Sequence, residues 1–141
     1  MAPATEMLAP AIALVLWTAV IWAWMYATRI PAIVRARMEL DPMAPRGEQM
    51  ATLPARVRWK ADNYNHLLEQ PTIFYPVVLV LAVLGDASTA SVALAWSYVG
   101  LRVVHSLQQS LVNAIRVRFA LFAVSSIVLF ALAIRAALRV F

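Results

Sequence analysis

One uncharged stretch near the N-terminus restricts what this chain can fold into. Residues 8–28 contain no charged side chain, and a membrane-spanning helix needs ~20 consecutive apolar residues. A cleaved signal peptide is the alternative, but only Glu6 and no basic residue precedes the run, and the run exceeds a signal core of ~7–15 residues. We therefore predict a first spanning helix over residues 8–29.

Composition supports an integral membrane protein. Hydrophobic residues make up 63% of the chain and charged residues 13%, whereas soluble domains have about 45–50% and about 25%. The absence of cysteine excludes disulfides and thiol nucleophiles. With two histidines and seven acidic residues we expect no metal site. The net charge of +5 suits anionic lipid better than nucleic acid in so apolar a chain, so we expect no nucleic-acid partner.

Three further helices follow from the apolar runs. Residues 70–85 are uncharged before Asp86 but too short to cross a bilayer, and extending the helix back to Asp62 supplies the missing length. Pro71 and Pro76 should kink or open this helix. The predicted fold is all-α, a single four-helix membrane domain spanning the whole chain. Its later helices are predicted over 62–85, 89–112 and 119–138, with a long basic loop over 30–61.

Basic residues predict the topology. Cytoplasmic loops of membrane proteins carry an excess of Lys and Arg. Loops 1 and 3 with their edges hold nine basic residues, and the other side holds two, Arg135 and Arg139. Both termini are therefore predicted to be non-cytoplasmic and loops 1 and 3 cytoplasmic. The nine are Arg29, Arg35, Arg37, Arg46, Arg56, Arg58, Lys60, Arg116 and Arg118.

Two stripes of polar residues run along predicted helices 2 and 3. Each stripe follows helical spacing, so its members share one face. Charges inside a membrane are costly without a partner. Glu69 and Arg102 would lie ~10 and ~15 Å from the cytoplasmic side by helical rise, which predicts a Glu69–Arg102 ion pair within or between subunits. The first stripe is Asp62, Asn65, His66 and Glu69, and the second is Tyr98, Arg102, His105, Gln109 and Asn113.

The stripes allow two interpretations. They can simply hold the helices together, with His66 at the membrane boundary in no assigned role. Alternatively they line a crevice with cationic walls, one carboxylate and amide donors. Such a crevice suits a carboxylate-bearing zwitterion, with a lipid-facing side for an apolar co-substrate. An arginine near a thiol would favour the thiolate.

Two segments resemble a known family. They are NHLLEQPTIFYP at residues 65–76 and YVGLRVVHSLQQSLVNAIRVRF at residues 98–119. The first is similar to an Asn-x-x-Glu region at the start of helix 2, and the second to an Arg-x-x-His motif on helix 3 followed by an Arg at the start of helix 4. The chain thus resembles the membrane-associated proteins in eicosanoid and glutathione metabolism (MAPEG), in a bacterial-type branch.

The resemblance implies a homotrimer in a bacterial inner membrane, with glutathione as co-substrate between subunits near the cytoplasmic side. Arg118 would be the catalytic residue that activates the thiol. The implied activity is a glutathione transferase or peroxidase acting on lipophilic small molecules. The ligand-binding residues implied by the resemblance are Asn65, Glu69, Arg102, His105 and Gln109.

A non-catalytic role stays open beside this one. Asn63 and Tyr64 stand where the family has basic residues, and Gln109 stands where many active members have Tyr. The alternative is therefore a membrane scaffold or an accessory subunit of a larger membrane complex.

Overall fold

The computed structural model describes residues 4–141, and the described chain is entirely helical apart from turns and loops. Long helices form from the apolar runs, and proline-rich sequence separates the first from the rest. The elements are α1 (Thr5–Arg35), α2 (Glu48–Ala51), α3 (Ala55–Leu67), α4 (Pro71–Val83), α5 (Thr89–Leu111) and α6 (Ile115–Val140).

Three helical segments of the described chain are long and apolar enough to cross a membrane: Thr5–Arg35, Ala55–Val83 and Ile115–Val140. Many large apolar side chains on these segments point outward, including Leu16, Ile127 and Phe130. Contiguous exposed apolar surface of this kind suits lipid rather than water. The protein is therefore an integral membrane protein.

Helix α1 is longer than predicted, because it continues through Pro31 to Arg35 instead of ending at residue 29. Thr28 Oγ1 donates to the carbonyl oxygens of Trp24 and Met25 at 3.1 Å, one turn before the proline. Near this end the ammonium of Lys60, on α3, lies 5.2 Å from the ring centroid of Trp24. This cation–π contact helps to hold α1 against α3.

The second predicted helix begins earlier than expected, at Ala55, and is broken into α3 and α4 at residues 68–70. The break precedes Pro71, where local opening was predicted, whereas Pro76 lies inside α4. Pro71 has no N–H to donate back to α3. The carbonyl oxygen of His66, also in the last turn of α3, accepts a hydrogen bond from Arg102 Nη2 at 2.9 Å, so a side chain of α5 satisfies one carbonyl at the broken end.

Helix α5 keeps its polar stripe inside the bundle, where it packs against α1, α3 and α6. Arg102, His105 and Ser106 are fully buried. This polar content explains why α5 is not among the three segments apolar enough to span by composition. At one end of the stripe, the ring of Tyr98 stacks on Phe74 of α4 with centroids 4.6 Å apart.

The turn between α4 and α5 is tied to the end of α6 by a group that we call the Asp86 cluster. The Asp86 side chain accepts hydrogen bonds from the backbone N–H of Ser88 at 2.9 Å and from Ser91 Oγ at 2.8 Å. Arg135 donates to both serine hydroxyls at 2.9 Å, and Arg139 Nε lies 3.9 Å from Asp86 Oδ2. The cluster therefore joins three helices at the end of the bundle away from the long loop.

Burial and hydrogen bonding shift the pKa of the Asp86 carboxyl in opposite directions. Burial alone would raise the pKa of Asp86, which is 5% exposed. The hydrogen bonds from Ser88 and Ser91, and the charge of Arg139, outweigh it and hold the pKa below its ordinary value.

Candidate functional site

A small cavity opens where α3 ends against α5 and α6. Its volume is about 210 Å³, and both cationic and apolar side chains surround it. We call it the histidine cavity, and its lining residues are His66, His105, Ile115, Arg118, Phe119 and Phe122.

The ring of His66 lies next to two other rings. Its centroid is 4.9 Å from that of His105 and 5.3 Å from that of Phe122. The hydrogen bond from Arg102 to the His66 carbonyl fixes the backbone at the same point. The helix break therefore places an oriented imidazole at the wall of the cavity.

The turn between α5 and α6 orients Arg118. Asn113 adopts a left-handed conformation with φ of 55°, which Asn tolerates better than most residues. Its backbone N–H donates to Gln108 at 2.7 Å, and its side-chain oxygen accepts from Arg118 Nη1 at 2.7 Å. One residue thus both makes the turn and holds the guanidinium at the cavity.

The predicted Glu69–Arg102 ion pair is wrong within one chain. Glu69 Oε2 lies 2.9 Å from His66 Nδ1, and the Glu69 side chain is 67% exposed. The guanidinium of Arg102 is fully buried and bonds the His66 carbonyl oxygen. The break at residues 68–70 turns Glu69 outward, away from Arg102. The between-subunit form of the pair stays a prediction.

Several buried polar atoms of α5 lack hydrogen-bond partners among residues 4–141. They are Nε and Nη1 of Arg102, both ring nitrogens of His105, and Oε1 of Gln108 and of Gln109. A buried cation without a carboxylate is costly. The interior beside the histidine cavity therefore has the chemistry to hold an anion or ordered water.

Asn65 and Gln109 lie away from the histidine cavity. Asn65 is exposed and lines a separate cavity of about 250 Å³ together with Arg29, Arg58 and Asp62. Gln109 is 4% exposed and points into the bundle. Of the residues assigned by resemblance, His105 and Arg118 line the cavity. Glu69 and Arg102 do not line it, but each contacts His66, which does.

Two residues with no role assigned from the sequence are central to this region. His66 lines the cavity. Asn63 is fully buried and donates to Ser106 Oγ at 2.6 Å and Ser110 Oγ at 2.9 Å, which ties α3 to α5. Ser106 and Ser110 lie four residues apart on one face of α5, so their spacing was a signal for such a contact.

No group of three or more metal-ligating side chains occurs in the described part of the chain. The polar side chains at the histidine cavity are two imidazoles and one guanidinium. Comparisons with curated proteins and with solved structures found no significant match. The sequence model of the MAPEG family matches residues 7–138, nearly the whole chain. The protein therefore belongs to the MAPEG family.

Proposed function

We propose that this protein binds glutathione at the histidine cavity and uses its thiolate on lipophilic electrophiles, as a glutathione transferase or peroxidase. The observation that carries the proposal is the position of Arg118, whose guanidinium lines a cavity with two imidazoles among apolar helices. A positive charge in such surroundings stabilises a thiolate and so raises the nucleophile concentration at neutral pH.

The two sides of the cavity suit two different substrates. Arg118 and the imidazoles supply a polar side for the thiol end of glutathione. Ile115 and Phe119, which are 71% and 70% exposed, supply an apolar side that faces outward. A lipophilic electrophile can approach the sulfur from the bilayer across these residues.

One chain provides only part of this site. Small-molecule sites usually measure ~300–1,000 Å³, and the histidine cavity measures about 210 Å³. The membrane segment Ala55–Val83 also exposes a polar face consisting of Asp62, Asn65, Glu69 and Thr72. Polar groups facing lipid are costly, so a second copy that covers this face would both bury it and complete the site.

This reasoning supports a homotrimer of four-span subunits with glutathione between neighbours. Helix α5 is the fourth span in this proposal, because its polar residues are buried against α1, α3 and α6 rather than facing lipid. The basic loops would lie in the cytoplasm and both termini outside, in a bacterial inner membrane.

Calorimetry on nanodisc-reconstituted protein tests the proposal. Saturable binding of glutathione to the wild type is expected, with loss of binding in Arg118→Ala. Arg116→Ala is the matched control. It removes the same charge two residues earlier in α6, from a side chain that does not line the histidine cavity. No binding at millimolar glutathione, from a well-folded oligomer, overturns the proposal.

A scaffold function is the second candidate, and one observation favours it. Arg102 bonds a backbone carbonyl, and Asn63 bonds two serines, so both polar residues have packing roles that need no ligand. A scaffold predicts no glutathione binding and stable association with a larger membrane complex. The same calorimetric experiment separates the two candidates.

A further inference from the structure

We propose that His66, oriented by Glu69, is the base that takes the proton from the glutathione thiol. This inference rests on the proposed function and adds a catalytic residue to it. Arg118 cannot take this role, because a guanidinium stabilises a thiolate but does not accept the proton. The proposal gives that role to His66 and the orienting role to Glu69.

The hydrogen bond to Glu69 determines which ring nitrogen is basic. His66 Nδ1 lies 2.9 Å from Glu69 Oε2. An ionised carboxylate only accepts hydrogen bonds, so Nδ1 carries the hydrogen and Nε2 carries the free lone pair. Among residues 4–141, Nδ1 is the only atom of this ring with a hydrogen-bond partner, which leaves Nε2 available to a ligand.

Three neighbours restrict the position of the ring. The rings of His105 and Phe122 lie next to it, tilted by 36° and 34° from its plane. Arg102 holds its backbone carbonyl. A base held this rigidly needs little reorganisation when the substrate arrives.

His105 is the other imidazole at the cavity, and its surroundings differ from those of His66. It is fully buried, and neither ring nitrogen has a partner among the described residues. It has no carboxylate to orient its tautomer or to stabilise an imidazolium. Glu69 is 67% exposed, so a proton arriving at His66 can pass on towards water, whereas one on His105 would stay in the interior.

The step balances as a proton transfer. The S–H bond of glutathione breaks, its electron pair stays on sulfur, and the proton forms a bond to His66 Nε2. The new imidazolium is stabilised by the Glu69 carboxylate, and the thiolate by the guanidinium of Arg118. The charged and titratable groups that face His66 are Glu69 at the helix break, Arg102 and His105 on α5, and Arg118 on α6.

The test follows the ultraviolet absorbance of the thiolate of bound glutathione as pH changes, on the nanodisc-reconstituted protein. Wild type is expected to form thiolate at neutral pH. His66→Phe keeps a ring next to His105 and Phe122, so glutathione should still bind by calorimetry while thiolate appears only at alkaline pH. Turnover of a lipophilic electrophile should then fall by ~10²-fold or more, the usual effect of losing a general base.

Two more variants complete the design. Glu69→Gln changes a side chain that is 67% exposed, and should move thiolate formation to higher pH by a smaller amount than His66→Phe. His105→Phe should weaken glutathione binding, since this imidazole lines the cavity, but the glutathione that binds should still form thiolate at the wild-type pH. A wild-type profile in both His66→Phe and Glu69→Gln overturns the dyad and leaves glutathione binding intact, whereas absent binding in the wild type overturns the proposed function and the dyad together.

Discussion

Replacing Asp86 with alanine should measurably lower the stability of the folded protein. Asp86 is 5% exposed and accepts two hydrogen bonds, from Ser88 and Ser91. Each is worth ~0.5–1.5 kcal/mol. The contacts of Arg135 and Arg139 with Asp86, at 4.0 and 3.9 Å, add little because both arginines are partly exposed.

We therefore expect Asp86→Ala to lower the free energy of unfolding by about 2 kcal/mol. For a chain of this size that corresponds to a fall in Tm of roughly 4–8 °C. Thermal unfolding in detergent, followed by intrinsic tryptophan fluorescence, measures it. Arg139→Ala is the control and should change Tm little, because that side chain is 57% exposed.

The same residue predicts a pH dependence. The pKa of Asp86 is lower in the folded state than its ordinary value, so the folded state binds fewer protons at this site. Its contribution to stability is fully present above the ordinary Asp pKa of about 3.9 and is lost as pH falls through the lowered pKa. Asp86→Asn should lack this acid-side loss. An unchanged Tm in Asp86→Ala, with an unchanged acid profile in Asp86→Asn, would refute the reasoning.

Three further predictions concern the site and the surface. Asn113→Gly keeps the left-handed turn but removes the acceptor of the cavity arginine, so glutathione affinity should fall in calorimetry with little change in Tm, whereas Asn113→Asp should retain affinity. Asn63→Ala removes two buried hydrogen bonds and should lower stability by about 2 kcal/mol in thermal unfolding, while the exposed neighbour Asn65→Ala should not. Since the chain has no cysteine, single cysteines labelled with a lipid-soluble maleimide can test whether a second copy covers the polar face that includes Thr72. Thr72→Cys should be protected in the oligomer, whereas Ile127→Cys should react. Equal labelling of both would contradict a second copy on that face.

The membrane character of the protein and the positions of its main helices could be predicted from local sequence. An uncharged apolar run such as residues 8–28 favours the membrane over water in any tertiary context, because burying apolar surface is favourable and non-directional. Helix ends were less predictable. Helix α1 continues through Pro31, a residue that often ends a helix, whereas α3 begins at Ala55, directly after Pro54.

The candidate site was predictable as a set of residues but not as an arrangement. Helical rise gives the depth of Glu69 and Arg102 in a membrane, and the two depths agree, yet the side chains do not meet in one chain. Depth leaves out the direction in which each side chain points. Adjacent helix positions differ by ~100° about the axis, and the break at residues 68–70 adds a rotation that no spacing rule contains.

The amino-acid sequence by itself determined that this chain enters a membrane, that polar stripes run along two of its helices, and that it resembles the MAPEG family. Those properties depend on hydropathy, spacing and motif, which are local. Only the tertiary structure decided that Asn65 and His66 line different cavities, that His66 meets Glu69, and that Arg102 holds a broken helix end. The Arg102 contact joins residues 36 apart in sequence and depends on the packing of whole helices, and the His66–Glu69 contact depends on the helix break that lies between them.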